Sequence, residues 1–146
     1  MTPRKKTCLM FAVIALGGAW HFARGDEQGL QLNQRGFEHA RDLIQQGHFV
    51  ADSKGSWAGH HPSRETENDF IRSRGPEEYG KWHLGIDNRH RIVSKARYKF
   101  PFGDFTNVHR CGLLAVKARA HEYGYVDIEA AAEQLLAEVE LSRPKQ

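Results

Sequence analysis

The side chains of this 146-residue chain with the most chemical potential are its nine histidines and two cysteines. Imidazoles and thiolates ligate transition metals, and a thiolate beside an imidazole is a nucleophile. Spacing decides whether either chemistry is within reach. His60 and His61 are neighbours, and adjacent side chains diverge too far to share one tetrahedral site. His48, His83, His90 and His109 are scattered, and no HExxH, HxH or CxxC pattern occurs. A zinc site of the usual thiolate type is therefore excluded, and the sequence predicts neither a metal site nor a cofactor. Cys111 has His109 close by and His83 upstream as candidate activating bases. It falls, however, on the apolar stripe of a predicted helix, where a cysteine is ordinarily a small core residue. Glu77 and Glu78 open a helix, and the helix dipole accounts for them without an acid–base role. With no GxSxG, P-loop or GxGxxG, the sequence yields no catalytic residue, and the expectation is a protein that is not an enzyme.

Charge distribution supplies the other binding chemistry. Residues 26–87 carry 11 acidic and 7 basic side chains, residues 88–121 carry 8 Lys/Arg against Asp104 alone, and residues 122–140 carry 6 acids and no Lys or Arg. The basic stretch comprises Arg89, Arg91, Lys95, Arg97, Lys99, Arg110, Lys117 and Arg119. Clustered cations neutralise phosphates, and interleaved aromatics stack on single-stranded bases. Nucleic acid is one expected partner, although no helix-turn-helix, RNP or basic-zipper pattern is present. The aromatics Trp82, Tyr98, Phe100 and Phe102 are a candidate contact for a protein partner or for a second copy of the chain, since aromatics are enriched at interface hot spots. The bland alternatives are a solvated basic face and aromatics spent on the core of a small domain.

These residues need elements to position them. Phe37, Ala40, Leu43 and Ile44 share a helical face over Gln34–Gln46, with Asn33 as cap and Gly47 as stop. His48–Ala51 reads as a short strand or packed loop, and Asp52–Pro62 as a loop anchored by Trp57. Ser63 caps a second helix over Arg64–Arg74. Pro76 starts a third, over Pro76–Leu84, which places Tyr79, Trp82 and His83 on one face. Ile92–Arg97 makes a helical turn, and residues 96–105 an irregular or extended segment. A fourth helix spans Asn107–Tyr123 with Thr106 as cap, and a fifth Ile128–Leu141 with Asp127 as cap, its core face built from Ile128, Ala131, Ala132, Leu135, Leu136 and Val139.

At the N-terminus, Arg4, Lys5 and Lys6 precede an apolar run over Cys8–Trp20 that is laid out like a secretory signal, with Gly17 and Ala19 before a cut at Trp20. The run is short for a membrane span, and a membrane is a partner only if residues 8–20 act as an anchor. The body carries no disulfide pair, and the expected location is cytoplasmic, with export or anchoring as the alternative.

Two stretches carry a resemblance. Glu78-Tyr-Gly-Lys-Trp-His-Leu-Gly-Ile-Asp87 and Arg97-Tyr-Lys-Phe-Pro-Phe-Gly-Asp-Phe105, continuing through Val108-His-Arg-Cys-Gly-Leu-Leu-Ala115, resemble a group of small bacterial and prophage-associated proteins of no assigned activity. The resemblance spans about residues 32–140. It implies one compact unit to which residues 1–25 are an extra, and it brings no catalytic residue. The expected organisation is thus a segment over 1–25, a single, mainly α domain of about five helices over 26–141, and a tail over 142–146. The expected function is that of a small accessory or binding protein, with the basic surface or the aromatic 98–105 segment as its contact.

Overall fold

The structure, a computed structural model, describes residues 29–144. The signal-like segment and the last two residues of the tail lie outside the described residues. The expectation of a mainly α fold is corrected: among the described residues six helices share the fold with five strands in two sheets, a mixed α/β architecture. The helices are α1 (Gln34–Gln45), α2 (Trp57–His60), α3 (Arg64–Arg74), α4 (Pro76–Gly80), α5 (Arg110–Tyr123) and α6 (Val126–Ser142). The strands are β1 (Leu30–Leu32), β2 (Phe49–Val50), β3 (His83–Asp87), β4 (Tyr98–Pro101) and β5 (Val108–His109). An antiparallel sheet runs β1-β3-β4, and β2 pairs with β5 in parallel.

The main departure is at β3. The third predicted helix stops at Gly80, and His83–Asp87 continues as the central strand. A strand covered on both faces reads as a run of mostly apolar residues, and over five residues such a run satisfies helical spacing equally well. The fourth predicted helix begins three residues late, because Val108 and His109 are spent on β5 and His109, not Thr106, is its N-cap. Tyr125, not Asp127, precedes the last helix. Ser63 does cap α3, its Oγ accepting the Thr66 amide at 3.1 Å. Asn33 stands at the head of α1 but sends its side-chain amide to the carbonyls of Gly80 and His83, both at 2.9 Å, so it ties α1 to the sheet instead of capping.

The core lies where α1, α5 and α6 meet the strands. Ile44, Leu84, Phe102, Val108, Leu113, Ile128, Leu135 and Val139 are all but fully buried in it. On α5, Leu113, Val116 and Ala120 recur at three- and four-residue spacing, as do Ile128, Ala132, Leu135 and Val139 on α6, so the two stripes interlock. Truncating a side chain such as Leu135 to Ala would cost about 2–5 kcal/mol. Among the described residues no helix is long and apolar enough to cross a membrane.

Candidate metal centre

The parallel pairing of β2 with β5 builds the site. Phe49 lies opposite Val108 and Val50 opposite His109, so two residues further along each chain Asp52 comes opposite Cys111. At that point the β5 chain turns into α5, whose first amides have no partner within the helix. His109 occupies the N-cap without a side-chain hydrogen bond. Asp52 supplies the cap from the other strand, its Oδ1 accepting the Cys111 amide at 2.7 Å. Its other oxygen, Oδ2, lies 2.7 Å from His109 Nδ1, 2.7 Å from His60 Nδ1 and 3.0 Å from Cys111 Sγ. His60 arrives as the last residue of the one-turn helix α2, with its Nδ1 3.5 Å from Cys111 Sγ. One donor atom from each of Asp52, His60, His109 and Cys111 thus converges on a single point, all within 4.8 Å of one another. Asp52, His109 and Cys111 are buried or nearly so, while the His60 side chain is 39 % exposed at the mouth.

A second layer holds the first. His109 Nε2, the ring nitrogen facing away from the cluster, lies 2.9 Å from Asp104 Oδ2. Asp104 is itself fixed by the amides of Thr106 and Asn107 at 2.9 and 2.7 Å on its Oδ1. The Trp57 ring stands at 6.1 Å from His109, centroid to centroid, and packs on Gly112, where an added Cβ would come within 3.0 Å of it.

Electrostatics follow from this packing. Burial alone would raise the Asp52 carboxyl, but hydrogen bonds from the Cys111 thiol, His109, the Cys111 amide and His60 outweigh it and hold the group down to about 2. Burial, together with the Asp52 carboxylate, pushes the Cys111 thiol up to about 12. Burial would lower His109, yet its bonds to Asp104 and Asp52 raise it above its ordinary value. Asp104 is lowered, the Asn107 and Thr106 amides and His109 prevailing over its burial.

This geometry disfavours a nucleophilic cysteine. A thiol is activated by an imidazole whose second nitrogen is oriented by another group. Here His109 has its second nitrogen on Asp104, but its Nδ1 faces Asp52 and makes no hydrogen bond to Cys111 Sγ; the one His60 nitrogen near Sγ, Nδ1, also faces Asp52, and the carboxylate holds the thiol protonated. The same arrangement suits a cation. Four donors around zinc at about 2.0–2.3 Å stand roughly 3.3–3.7 Å apart at tetrahedral angles. The Cys111–His60 separation of 3.5 Å already falls in this range, and the contacts to Asp52 Oδ2, at 2.7 and 3.0 Å, open by about 0.3–0.6 Å to reach it.

The residues singled out from sequence are distributed differently. Of the eight cations, Arg89 pairs with Asp87, Lys95 with Glu67, Arg110 with Glu140, Lys117 with Glu133 and Arg119 with Glu122. Arg97 donates to the His90 carbonyl and to Asn88 Oδ1. Arg91 and Lys99 have no ion-pair partner among the described residues. Trp82, Tyr98 and Phe102 are buried in the fold, and Phe100 is half-buried. Of the histidine pair, only His60 enters the cluster, and His61 turns toward Glu67. Sequence reasoning noticed His109 beside Cys111 but passed over Asp52 and Asp104, whose partners lie 57 residues away and five residues away, respectively. The available signal was a His-x-Cys step at the start of a helix, preceded by an Asp in a turn. No family model matches the chain, and neither the curated proteins nor the solved structures contain a significant match to it.

Proposed function

We propose that this chain is a metal-binding protein whose centre takes a divalent transition metal, zinc foremost, on Asp52 Oδ2, His60 Nδ1, His109 Nδ1 and Cys111 Sγ. The observation that carries the reading is the orientation of His109: one ring nitrogen faces the point of convergence and the other faces Asp104. Metal-bound histidines characteristically give their second N–H to a carboxylate, which fixes the tautomer and the ring plane. One thiolate, two imidazoles and a carboxylate form a borderline-soft donor set suited to zinc. All four tetrahedral positions are filled by protein, the pattern of a structural centre. Its work in the fold is to clamp the 52–60 segment onto the first turn of α5.

The test is titration of chelator-treated protein with Co2+, which reports four-coordinate geometry and thiolate ligation in its visible and near-ultraviolet bands. One ion per chain, with a thiolate charge-transfer band that disappears in Cys111→Ser, is the expected result. Absence of stoichiometric binding, or an unchanged spectrum in Cys111→Ser, would overturn the proposal.

A further inference from the structure

Trp57, which stands beside the metal cluster, also lines a second feature. An open groove of about 650 Å³ runs between α5 and β4. Its walls are mostly apolar, with Trp57, Phe100, Pro101, Ala115 and Tyr125 among them, and its charged groups are Lys99, Arg119 and Glu122. That volume falls within the range of small-molecule sites, which combine apolar walls with a few placed polar groups.

Two observations point to the chemistry of the occupant. The first is charge. Arg119 and Glu122 pair with each other at 3.3 Å, which leaves Lys99 as the uncompensated charge of the lining. Lys99 is half-buried, and its ammonium group has no hydrogen-bond or ion-pair partner among the described residues. A long cationic side chain laid against an apolar wall without a counter-ion favours a ligand that brings one negative charge together with an apolar body. The second is backbone strain. Phe100, in the middle of β4, has φ +61, a left-handed conformation that is strained for a bulky residue. Such strain gathers where a fold holds a ligand-contacting residue in place. Phe100 is packed over Gly85, where a Cβ would come within 2.7 Å of its ring, and it meets Tyr125 edge to face at 5.9 Å.

We infer that the groove between α5 and β4 is a binding site for an amphipathic monoanion, a medium-chain aliphatic or aromatic carboxylate, whose charge meets Lys99 and whose body lies along Phe100, Trp57 and Tyr125. The inference goes beyond the metal centre and does not rest on it: neither Lys99 nor Phe100 touches the four donors.

The test uses the full chain and three probes of matched length, decanoate, decanol and decylamine, followed by calorimetry and by amide chemical-shift mapping. Decanoate binds one per chain and shifts the amides of Lys99, Phe100, Ala118 and Tyr125. Lys99→Ala weakens decanoate about tenfold, the size of one charge-assisted contact, and leaves decanol unchanged. Ala118→Trp, an exposed helix position on the groove wall that can take a larger side chain without entering the core, abolishes binding of both. Decanol or decylamine binding as tightly as decanoate would overturn the inference. So would shifts that map elsewhere, no binding by any probe, or self-association of the chain through this face without decanoate uptake.

Discussion

Asp52 Oδ2 and His109 Nδ1 lie 2.7 Å apart across the parallel β2–β5 pair, and the opposite nitrogen of the same ring lies 2.9 Å from Asp104. Both nitrogens of His109 therefore face carboxylate oxygens, an arrangement that favours the doubly protonated ring, and its titration is raised accordingly. Without a cation, the cluster keeps a proton on the Cys111 thiol and, below the raised His109 value, one on His109 Nδ1 as well. A divalent ion that takes their place leaves the net charge unchanged. Metal uptake should therefore release close to two protons per ion below the raised His109 value, and about one above it. Calorimetric titration in buffers of different ionisation enthalpy counts them. A count near zero at neutral pH would mean that Cys111 is not a ligand.

Asp104 touches the cluster only through His109, and its effect is separable from ligation. Asp104→Asn keeps the shape and the oxygen that accepts the Thr106 and Asn107 amides, but it replaces the oxygen facing His109 with an amide NH2 and removes the charge that orients the ring and raises its basicity. Partners of this kind typically contribute 10–100-fold in metal affinity. The variant should bind Co2+ in the same four-coordinate geometry, with affinity lower by that factor, whereas Cys111→Ser should lose the thiolate band itself. Equal affinities for wild type and Asp104→Asn would leave His109 oriented by packing alone.

Much of the helical part of the fold is legible in the sequence. The Ser63 cap, the Gly47 and Gly124 stops and the stripes of α5 and α6 are local signals, each complete within about four residues. The strands are not local. β2 and β5 are two residues long, so neither shows an alternation, and their pairing joins residues 59 apart. β3 is covered from both sides and so lacks an outward polar face to betray it. The site depends on that hidden pairing, because it is the β2–β5 register that brings Asp52 to Cys111. The adjacency of His60 and His61 misleads for the same reason: one member of the pair belongs to the cluster, and the other to the Glu67 side of the chain.

Two histidines set opposite limits on stability in the chelator-treated protein. His83 is fully buried, and its burial lowers it from 6.5 to about 3, the hydrogen bond to the Tyr79 carbonyl opposing the shift only in part. Its folded value lies below its unfolded one, so its contribution is present above 6.5 and is lost as pH falls from there toward 3. His109 is raised, so its contribution is full below 6.5 and is lost as pH climbs through its folded value. Asp52, lowered to about 2, adds a loss only below the ordinary carboxylate range of about 4. Stability should therefore peak close to 6.5 in urea denaturation across pH. His83→Gln should flatten the acid limb and His109→Gln the alkaline one. A curve whose limbs are unaffected by either change would remove both residues from the account.

Gly112 links the helix to the site, and its substitution separates two opposing effects. It is the third residue of α5, where Ala in place of Gly ordinarily stabilises by up to about 1 kcal/mol. Here the added Cβ would stand 2.8 Å from the Phe102 carbonyl oxygen and 3.0 Å from the Trp57 ring. The carbonyl is backbone and cannot turn aside, and it also accepts the His109 amide at 3.0 Å. Relieving the contact moves either the start of α5 or the Phe102 segment, at a cost of about 1–3 kcal/mol. Gly112→Ala should therefore be destabilised overall in denaturant, despite the better helix former. It should also bind Co2+ more weakly than wild type, because His109 and Cys111 flank the displaced turn. A net gain in stability with unchanged metal affinity would show that the approach of α5 to Phe102 is looser than 2.8 Å implies, and that the metal ligands do not depend on it.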